Sequence, residues 1–299
     1  MTRKSWKLEI PLHIMILPGL VFVLIFSYGP MVGISIAFQH FMLGKGMFGS
    51  EWVGLDNFKY VYSLPDTFRV IRNTVVISVM KIAAGLIAPI VTALLLNEVR
   101  LRLFKRTVQT MIYLPHFLSW VILSGILMEV LSPTTGIVND LLARLGFERI
   151  FFLGRKEWFP VVMVVTDVWK EFGFNTIVYL AALSGINPVL YEAAVVDGAN
   201  RWKQTIHVTL PGMAPIIVLL ATLSLGNVLN AGFDQIFNLY SPSVYETGDI
   251  LDTYVYRLGL TNGQFGVATA VGLFKSVISL VLISLSYFLA YRFANYRIF

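Results

Sequence analysis

Long apolar stretches with few or no charged residues alternate with shorter polar segments, and this pattern predicts the main structural elements. Residues 10–44 contain no Asp, Glu, Lys or Arg, and residues 74–97 are interrupted only by Lys81. A helix needs about 20 apolar residues to cross the hydrocarbon core of a bilayer, and most of the stretches have that length. The pattern predicts six membrane-spanning helices, at about 10–44, 74–97, 107–128, 158–191, 208–233 and 264–291.

These stretches predict an all-α membrane protein with a single transmembrane domain over residues 1–299. Its core is expected at about 70–291, preceded by an additional N-terminal span at about 12–38. The composition agrees, because 57% hydrophobic and 13% charged residues do not suit a soluble globular protein. Three cations precede the first apolar stretch, as in a signal peptide, but the stretch is too long for a signal core and lacks an A-x-A cleavage site. We therefore expect an uncleaved first span.

The distribution of Lys and Arg predicts the orientation of the spans. With six spans, both termini lie on the same side of the membrane. The segments predicted on that side are 1–10, 97–107, 184–211 and 292–299, and they hold 11 Lys and Arg in 57 positions. The loops predicted on the opposite side are 39–69, 132–157 and 236–264, and they hold 8 Lys and Arg in 86 positions. Short basic loops resist translocation, so we expect both termini in the cytoplasm. The net charge of +6 then lies beside membrane ends and requires no nucleic acid partner.

The loop between the fourth and fifth predicted spans has the residues of a short projecting helix. Asn187 can accept a hydrogen bond from a free amide at a helix N-terminus, and Pro188 suits the first helical position. Ala193 and Ala194 favour helix and leave room for another protein's surface, whereas Gly198 can adopt the left-handed backbone that ends a helix. This spacing alone is compatible with an ordinary capped loop or with a docking element.

The same loop resembles a motif of a known transporter family. Glu192-Ala193-Ala194, then Asp197-Gly198-Ala199 and Leu210-Pro211, resemble the "EAA" loop of ABC importer permeases. In that family the loop forms a cytoplasmic coupling helix that binds the ATPase. The resemblance implies an ATPase contact made by the following residues: Glu192, Ala193, Ala194, Asp197, Gly198, Ala199 and Arg201.

Other segments extend the resemblance over nearly the whole chain. Residues 54–58, 113–115 and 180–183 resemble carbohydrate-uptake permeases of the maltose type, and residues 249–257 are similar to the branch that transports oligosaccharides released from complex polysaccharides. The resemblance implies a sugar importer in a bacterial-type cell membrane. Its implied partners are a second homologous permease, two ATPase subunits that bind ATP and Mg, and an extracytoplasmic solute-binding protein.

Motifs for chemistry within this chain are missing from the sequence. No G-x-x-x-x-G-K-[ST] loop is present, so ATP hydrolysis is expected in another chain. There is no H-E-x-x-H motif, the four histidines are scattered, and there is no cysteine to act as a nucleophile or thiolate ligand. We therefore expect a transport subunit without catalytic residues, metal or cofactor of its own.

Polar residues within the predicted spans are candidates for the substrate path. Asn227, Asn230 and Asp234 recur at i, i+3 and i+7, which predicts one helical face in the fifth span. Asn175 follows aromatic residues in the fourth span, a combination suited to a sugar. Hydrogen bonding between helices is the alternative for the three residues of the fifth span, because a polar side chain in lipid must find a partner. For Asn175 the alternative is that its aromatic neighbours are ordinary residues of a membrane helix, where such residues are frequent.

Three charged residues in the fourth span leave alternative functions open. Asp167, Lys170 and Glu171 are close enough along a helix to neutralise one another, which indicates a structural role. Carboxylates within spans, here Asp167, Glu171 and Asp234, are also typical of ion-coupled secondary transporters, although the docking loop and the absence of an inverted repeat disfavour that class. A membrane-embedded enzyme would need paired acid, base or metal residues, which the sequence does not suggest. Another small polar solute is the alternative to a sugar substrate.

Overall fold

The structure, a computed structural model, describes residues 6–294, with side chains from residue 10 to residue 288. The two ends that we expect in the cytoplasm lie mostly outside the described residues, at 1–5 and 295–299. The described chain is almost wholly helical, and its only strands form a two-residue antiparallel hairpin, β1 (Gln39–His40) with β2 (Glu51–Trp52). The predicted all-α class is therefore confirmed for the described part of the chain.

Fifteen α-helices and several short 3₁₀ and π segments make up the described chain. The first seven α-helices are α1 (Trp6–Val23), α2 (Gly46–Gly49), α3 (Asp56–Ser63), α4 (Pro65–Glu98), α5 (Arg102–Tyr113), α6 (Trp120–Val130) and α7 (Ile137–Arg144). The others are α8 (Phe159–Ser184), α9 (Pro188–Val196), α10 (Arg201–Gln204), α11 (Leu210–Leu225), α12 (Phe233–Leu239), α13 (Tyr245–Gly248), α14 (Leu251–Tyr256) and α15 (Phe265–Ala294). The 3₁₀ segments are Gly29–Phe38, Leu114–Phe117 and Pro242–Val244, and the π segments are Leu24–Tyr28, Thr205–Thr209 and Arg257–Thr261.

Four helical segments of the described chain are long and apolar enough to cross a membrane: Ile10–Phe38, Pro65–Glu98, Arg201–Leu225 and Phe265–Phe288. Two bent pairs can each supply one more span, which gives four to six. The pairs are Arg102–Phe117 with Trp120–Val130, bent by 105°, and Phe159–Ser184 with Pro188–Val196, bent by 69°. The structure thus supports a helical membrane protein, and the count of six stays a prediction.

The predicted span at 107–128 is not one continuous helix, because the chain turns sharply between α5 and α6. Leu114–Phe117 forms a 3₁₀ turn that contains Pro115, and Ser119 has an extended backbone that cannot continue the helix. The Ser119 hydroxyl accepts a hydrogen bond from the Ile122 amide at 3.3 Å, so it caps the new helix. Hydropathy remains high through this break, and the sequence pattern did not predict it.

The predicted fifth span also ends early. Helix α11 ends at Leu225, not near Phe233, and Gly232 adopts the left-handed backbone with φ +91° immediately before α12. Asn227, Asn230 and Asp234 therefore do not share one helical face, and that part of the prediction is wrong. A left-handed glycine can redirect the chain without the steric cost that a Cβ imposes.

The chain forms two compact units. The first comprises Met1–Pro65 and Val255–Phe274, and the second comprises Asp66–Tyr254 and Lys275–Phe299. In the first unit the Asn57 amide group donates hydrogen bonds to the carbonyls of Ala37 and Gln39, at 2.9 and 3.0 Å, and so holds α3 against the hairpin. This contact gives residues 54–58 a structural role.

The second unit has a core built around the N-terminal half of α8 and the short helices that follow α11. Phe159, Met163 and Ile236 are fully buried there, and Leu239 is nearly so. Gly248 lies directly against Phe159, where a Cβ would come within 2.4 Å of the ring. This packing fixes α8 and α12 relative to one another. Helix α8 lines the site described next, and Gln235 of α12 holds one of its side chains.

Candidate functional site

A cavity of about 370 Å³ lies within the second unit, between α4, α8, α11 and the segment that follows α11. Its polar lining comprises Ser78, Lys81, Asp167, Glu171, Asn175, Ser224, Asn227 and Asn230. Apolar groups including Ile82, Phe172 and Leu220 complete the wall. A mixed wall of amides, carboxylates and a few apolar groups suits a hydroxyl-rich ligand better than a purely apolar one.

Three of the four predicted path residues meet at this cavity. Asn175 reaches it from α8, whereas Asn227 and Asn230 reach it from the irregular segment between α11 and α12. Asp234 is exposed in the first turn of α12 and does not line the cavity. The break after Leu225 explains the difference, because residues 227 and 230 lie in the irregular segment and residue 234 lies in the first turn of a new helix.

Lys81 joins three elements at one end of the cavity. Its Nζ donates hydrogen bonds to the Ala231 carbonyl at 2.8 Å, to Asp167 Oδ1 at 3.2 Å and to the side-chain oxygen of Gln235. Gln235 is fully buried and in turn donates to the Met163 carbonyl at 2.9 Å. The lysine therefore ties α4 to α8 and to the chain around Ala231.

The left-handed turn at Gly232 and the Lys81 ammonium depend on each other. A Cβ at residue 232 would come within 3.0 Å of Lys81 Nζ, and φ is +91° there. Glycine is therefore favoured at this position by backbone conformation and by close approach. The interruption of the fifth span is thus built around a buried cation, and that long-range contact had no signal in the sequence pattern.

A second charged cluster fixes the break between α5 and α6 to α8. Lys170 Nζ donates to Glu171 Oε1 at 2.7 Å and to the His116 carbonyl at 2.9 Å. The His116 ring makes a 2.7 Å hydrogen bond with Glu171 Oε2 and stacks on Phe174, with centroids 4.0 Å apart. The expectation that residues 167, 170 and 171 neutralise one another holds for Lys170 and Glu171, whereas Asp167 pairs with Lys81.

The predicted docking loop forms the expected short helix. Asn187 Oδ1 accepts a hydrogen bond from the Val189 amide at 3.0 Å, and Pro188 occupies the first turn of α9. Gly198 follows with φ +72°, and the Ala199 amide donates back to the Ala194 carbonyl at 2.8 Å. This is the capping geometry that a left-handed residue provides at a helix C-terminus.

Residues on both sides of the Gly198 turn are exposed or partly buried. Glu192, Ala193, Asp197, Gly198 and Arg201 are exposed, and Ala194 and Ala199 are partly buried. Asn200 caps α10 by accepting from the Lys203 amide at 2.9 Å, and Gln204 is buried and donates to the Ala199 carbonyl at 2.8 Å. Two capped helices thus flank an exposed turn at Gly198.

Large apolar side chains surround this turn and were not identified from the sequence. Val196 is 86% exposed and Trp202 is 71% exposed, and Val189 and Val195 are also exposed. Exposed apolar patches rimmed by polar residues typically mark sites of protein contact. The sequence signals that could have identified this apolar surface were the adjacent Val195 and Val196 and Trp202 within a charged loop.

Comparison with known proteins identifies relatives over nearly the whole chain. The chain is 44% identical over 96% of its length to the polygalacturonan/rhamnogalacturonan transport system permease protein YteP of Bacillus subtilis (strain 168), of which it covers 90%. It matches a chain of a bacterial ABC transporter involved in the import of the acidic polysaccharide alginate, with a TM-score of 0.90, 41% identity and coverage of 97% of this chain and 98% of that one.

A second solved structure agrees with the first. It is the bacterial alginate ABC transporter in complex with an alginate pentasaccharide-bound periplasmic protein, matched with a TM-score of 0.89 at 40% identity over 97% of this chain and 96% of that chain. Residues 82–295 match the family described as binding-protein-dependent transport system inner membrane components. With a family match over more than two thirds of its length and a relative 44% identical over almost all of it, the chain belongs to that family.

Proposed function

We propose that this chain is one of two permease subunits of an ATP-driven, binding-protein-dependent importer for acidic oligosaccharides. The similarity to permeases named for polygalacturonan, rhamnogalacturonan and alginate supports this substrate class, because these names denote acidic polysaccharides or the transport of them. The observation that carries the proposal for this chain itself is the polar cavity within the helices of the second unit, which offers amide and carboxylate groups to a hydroxyl-rich ligand.

The α9–α10 loop is the proposed contact with a cytoplasmic ATPase. Its small residues at 193 and 194 leave space for a partner, and Val196 and Trp202 offer apolar surface that burial would stabilise. The carboxylates of Glu192 and Asp197 lie beside that surface, where they can orient a partner more than strengthen its binding. ATP and Mg would be bound by that partner, and this chain would transmit its motion.

Asn175, Asn227 and Asn230 are the proposed substrate contacts. Asn175 lies on a continuous helix, whereas the other two lie on the irregular segment that Lys81 holds in place. Asp234 is retained as a proposed path residue beyond the cavity. A change in the angle between α8 and the segment after α11 would alter the spacing of these amides, which is how loop motion can change access to the site.

The full proposed arrangement has six spans with both termini in the cytoplasm of a bacterial-type cell. The docking loop then faces the cytoplasm, and residues 54–57 face outward toward a solute-binding protein. A second permease of the same family would supply the other half of the path.

A purified, complete transporter in lipid nanodiscs tests this function. We expect the binding protein loaded with an oligogalacturonide to stimulate ATP hydrolysis several-fold, and the same protein offered a neutral oligosaccharide of equal length to stimulate it less. Absence of stimulation by every oligosaccharide, in a preparation whose subunits remain associated, would contradict the proposal.

A further inference from the structure

The two ion pairs beside the cavity have the same unusual arrangement. In each pair the lysine side chain is buried, at 8% exposed for both Lys81 and Lys170, whereas the carboxylate is more accessible, at 27% for Asp167 and 32% for Glu171. Both carboxylates line the cavity. The described wall therefore presents the carboxylates of Asp167 and Glu171. Lys81 lines the cavity beside Asp167, whereas Lys170 does not line it.

Neither lysine offers a free donor to a ligand in the cavity, because the donors of Lys81 are used within the protein and Lys170 does not line the cavity. An ammonium group has three N–H donors, and the three acceptors of Lys81 are the Ala231 carbonyl, Asp167 and Gln235. Lys170 does not line the cavity; it donates to Glu171 and to the His116 carbonyl, and its Nζ lies 5.7 Å from the centre of the Trp120 ring. Among the described residues that line the cavity, Lys81 is the one cation, and its hydrogen bonds are committed to the protein.

A charged sugar at this wall meets carboxylate oxygen atoms first. Coulomb interaction falls with distance, so a uronate group that lies closer to a carboxylate oxygen of Asp167 or Glu171 than to the paired lysine ammonium is repelled more strongly than it is attracted. Sugar hydroxyl groups have the opposite preference, because they donate to carboxylates in hydrogen bonds that are stronger than neutral ones. The same wall thus favours the hydroxyl edge of a sugar and disfavours its carboxylate edge.

We propose that Asp167 and Glu171 are specificity-determining residues that bind the hydroxyl groups of the transported sugar and turn its carboxylates away from this subunit. This inference rests on the function proposed above. It assigns the recognition of substrate charge to the facing permease, and it assigns the recognition of hydroxyl groups to this chain. The amides of Asn175, Asn227 and Asn230 complete a wall that is rich in acceptors and carries no free cation among its described residues.

Comparison of an acidic oligosaccharide with its methyl ester separates the effect of substrate charge from the effect of substrate shape. Uptake of a labelled oligogalacturonide into vesicles that contain the complete transporter is measured in competition with the unlabelled acid or with its methyl ester. The ratio of the two apparent affinities is compared between wild type, Glu171→Gln and Asp167→Asn. Asp140→Asn is the control, because it removes a carboxylate from an exposed ion pair with Arg149 that does not line the cavity.

We expect each cavity variant to shift the affinity ratio at least about threefold in favour of the acid, because one near negative charge is removed. Asp140→Asn should leave the ratio unchanged. A ratio unaltered in both cavity variants, or equal losses of affinity for acid and ester, would overturn the inference while leaving the importer function intact. If Asp167→Asn prevents assembly by leaving Lys81 unpaired, Glu171→Gln decides the result alone, because Lys170 keeps its contacts with His116 and Trp120.

Discussion

Replacement of Gly198 by valine is the sharpest perturbation of the proposed ATPase contact. Among the described residues, no atom lies within 4 Å of a Cβ built at residue 198, so the Cβ itself causes no clash there. The backbone is the obstacle, because φ is +72° there and L-residues pay about 1–2 kcal/mol for the left-handed conformation. Since 1.4 kcal/mol corresponds to tenfold at 25 °C, the population of loops with the observed turn should fall by roughly 5- to 30-fold.

Gly198→Asn is the matched control. Asparagine adds a side chain of a size similar to that of valine but visits the left-handed region more readily than valine does, so it should preserve most of the turn. The assay is co-purification of the ATPase with this subunit, followed by sugar-stimulated ATP hydrolysis in the complete transporter. We expect Gly198→Val to insert into the membrane at the wild-type level and to lose about tenfold in ATPase association, with Gly198→Asn close to wild type.

Two results would refute this reasoning. Normal coupled hydrolysis in Gly198→Val would mean that the turn is not part of the contact. Equal losses in the valine and asparagine variants would mean that any side chain at residue 198 is excluded, and the left-handed backbone would then not be the cause.

Four further perturbations test the cavity and the topology. Asn230→Ala should raise the apparent KM for sugar about fivefold through loss of a hydrogen bond worth about 1 kcal/mol, and an unchanged KM in transport assays would assign Asn230 to packing. Asp234→Asn should change KM less than Asn230→Ala, because Asp234 does not line the cavity; a larger effect would extend the path to α12. Lys81→Met should destabilise the subunit by about 3 kcal/mol, because it leaves the partner carboxylate unpaired, and a thermal unfolding midpoint equal to wild type would contradict that role. A single cysteine at Asn200 should resist impermeant reagent applied outside intact cells, and labelling from outside would overturn the orientation.

Local structure was the part of the protein that the sequence predicted best. The turn from α9 into α10 depends on residues adjacent in the chain, since Asn187 caps its own helix and Gly198 ends it. Such signals are encoded within a few positions, and the capped helix was correctly predicted. The role of the loop in binding an ATPase remains a prediction, which rests on its family resemblance and its exposed apolar residues.

Breaks in the spans could not be predicted from hydropathy. The chain remains apolar through Pro115 and through the end of α11 at Leu225, so a window of mean hydropathy predicts continuous helices. At Gly232 the break depends on Lys81, which lies about 150 residues earlier in the chain. A contact between residues so far apart in the chain leaves no periodic pattern in the sequence. The break at Gly232 separates Asp234 from the cavity that Asn227 and Asn230 line.

ATP-driven uptake of a labelled oligogalacturonide by sealed vesicles tests the central conclusion most directly. The vesicles contain this chain, its partner permease, the ATPase subunits and the binding protein, and uptake is measured with and without ATP and with the proton and sodium gradients collapsed. We predict uptake that requires ATP and the binding protein and persists without ion gradients. Uptake driven by an ion gradient in the absence of ATP would contradict this account and would instead support a secondary transporter that uses the carboxylates of Asp167 and Glu171.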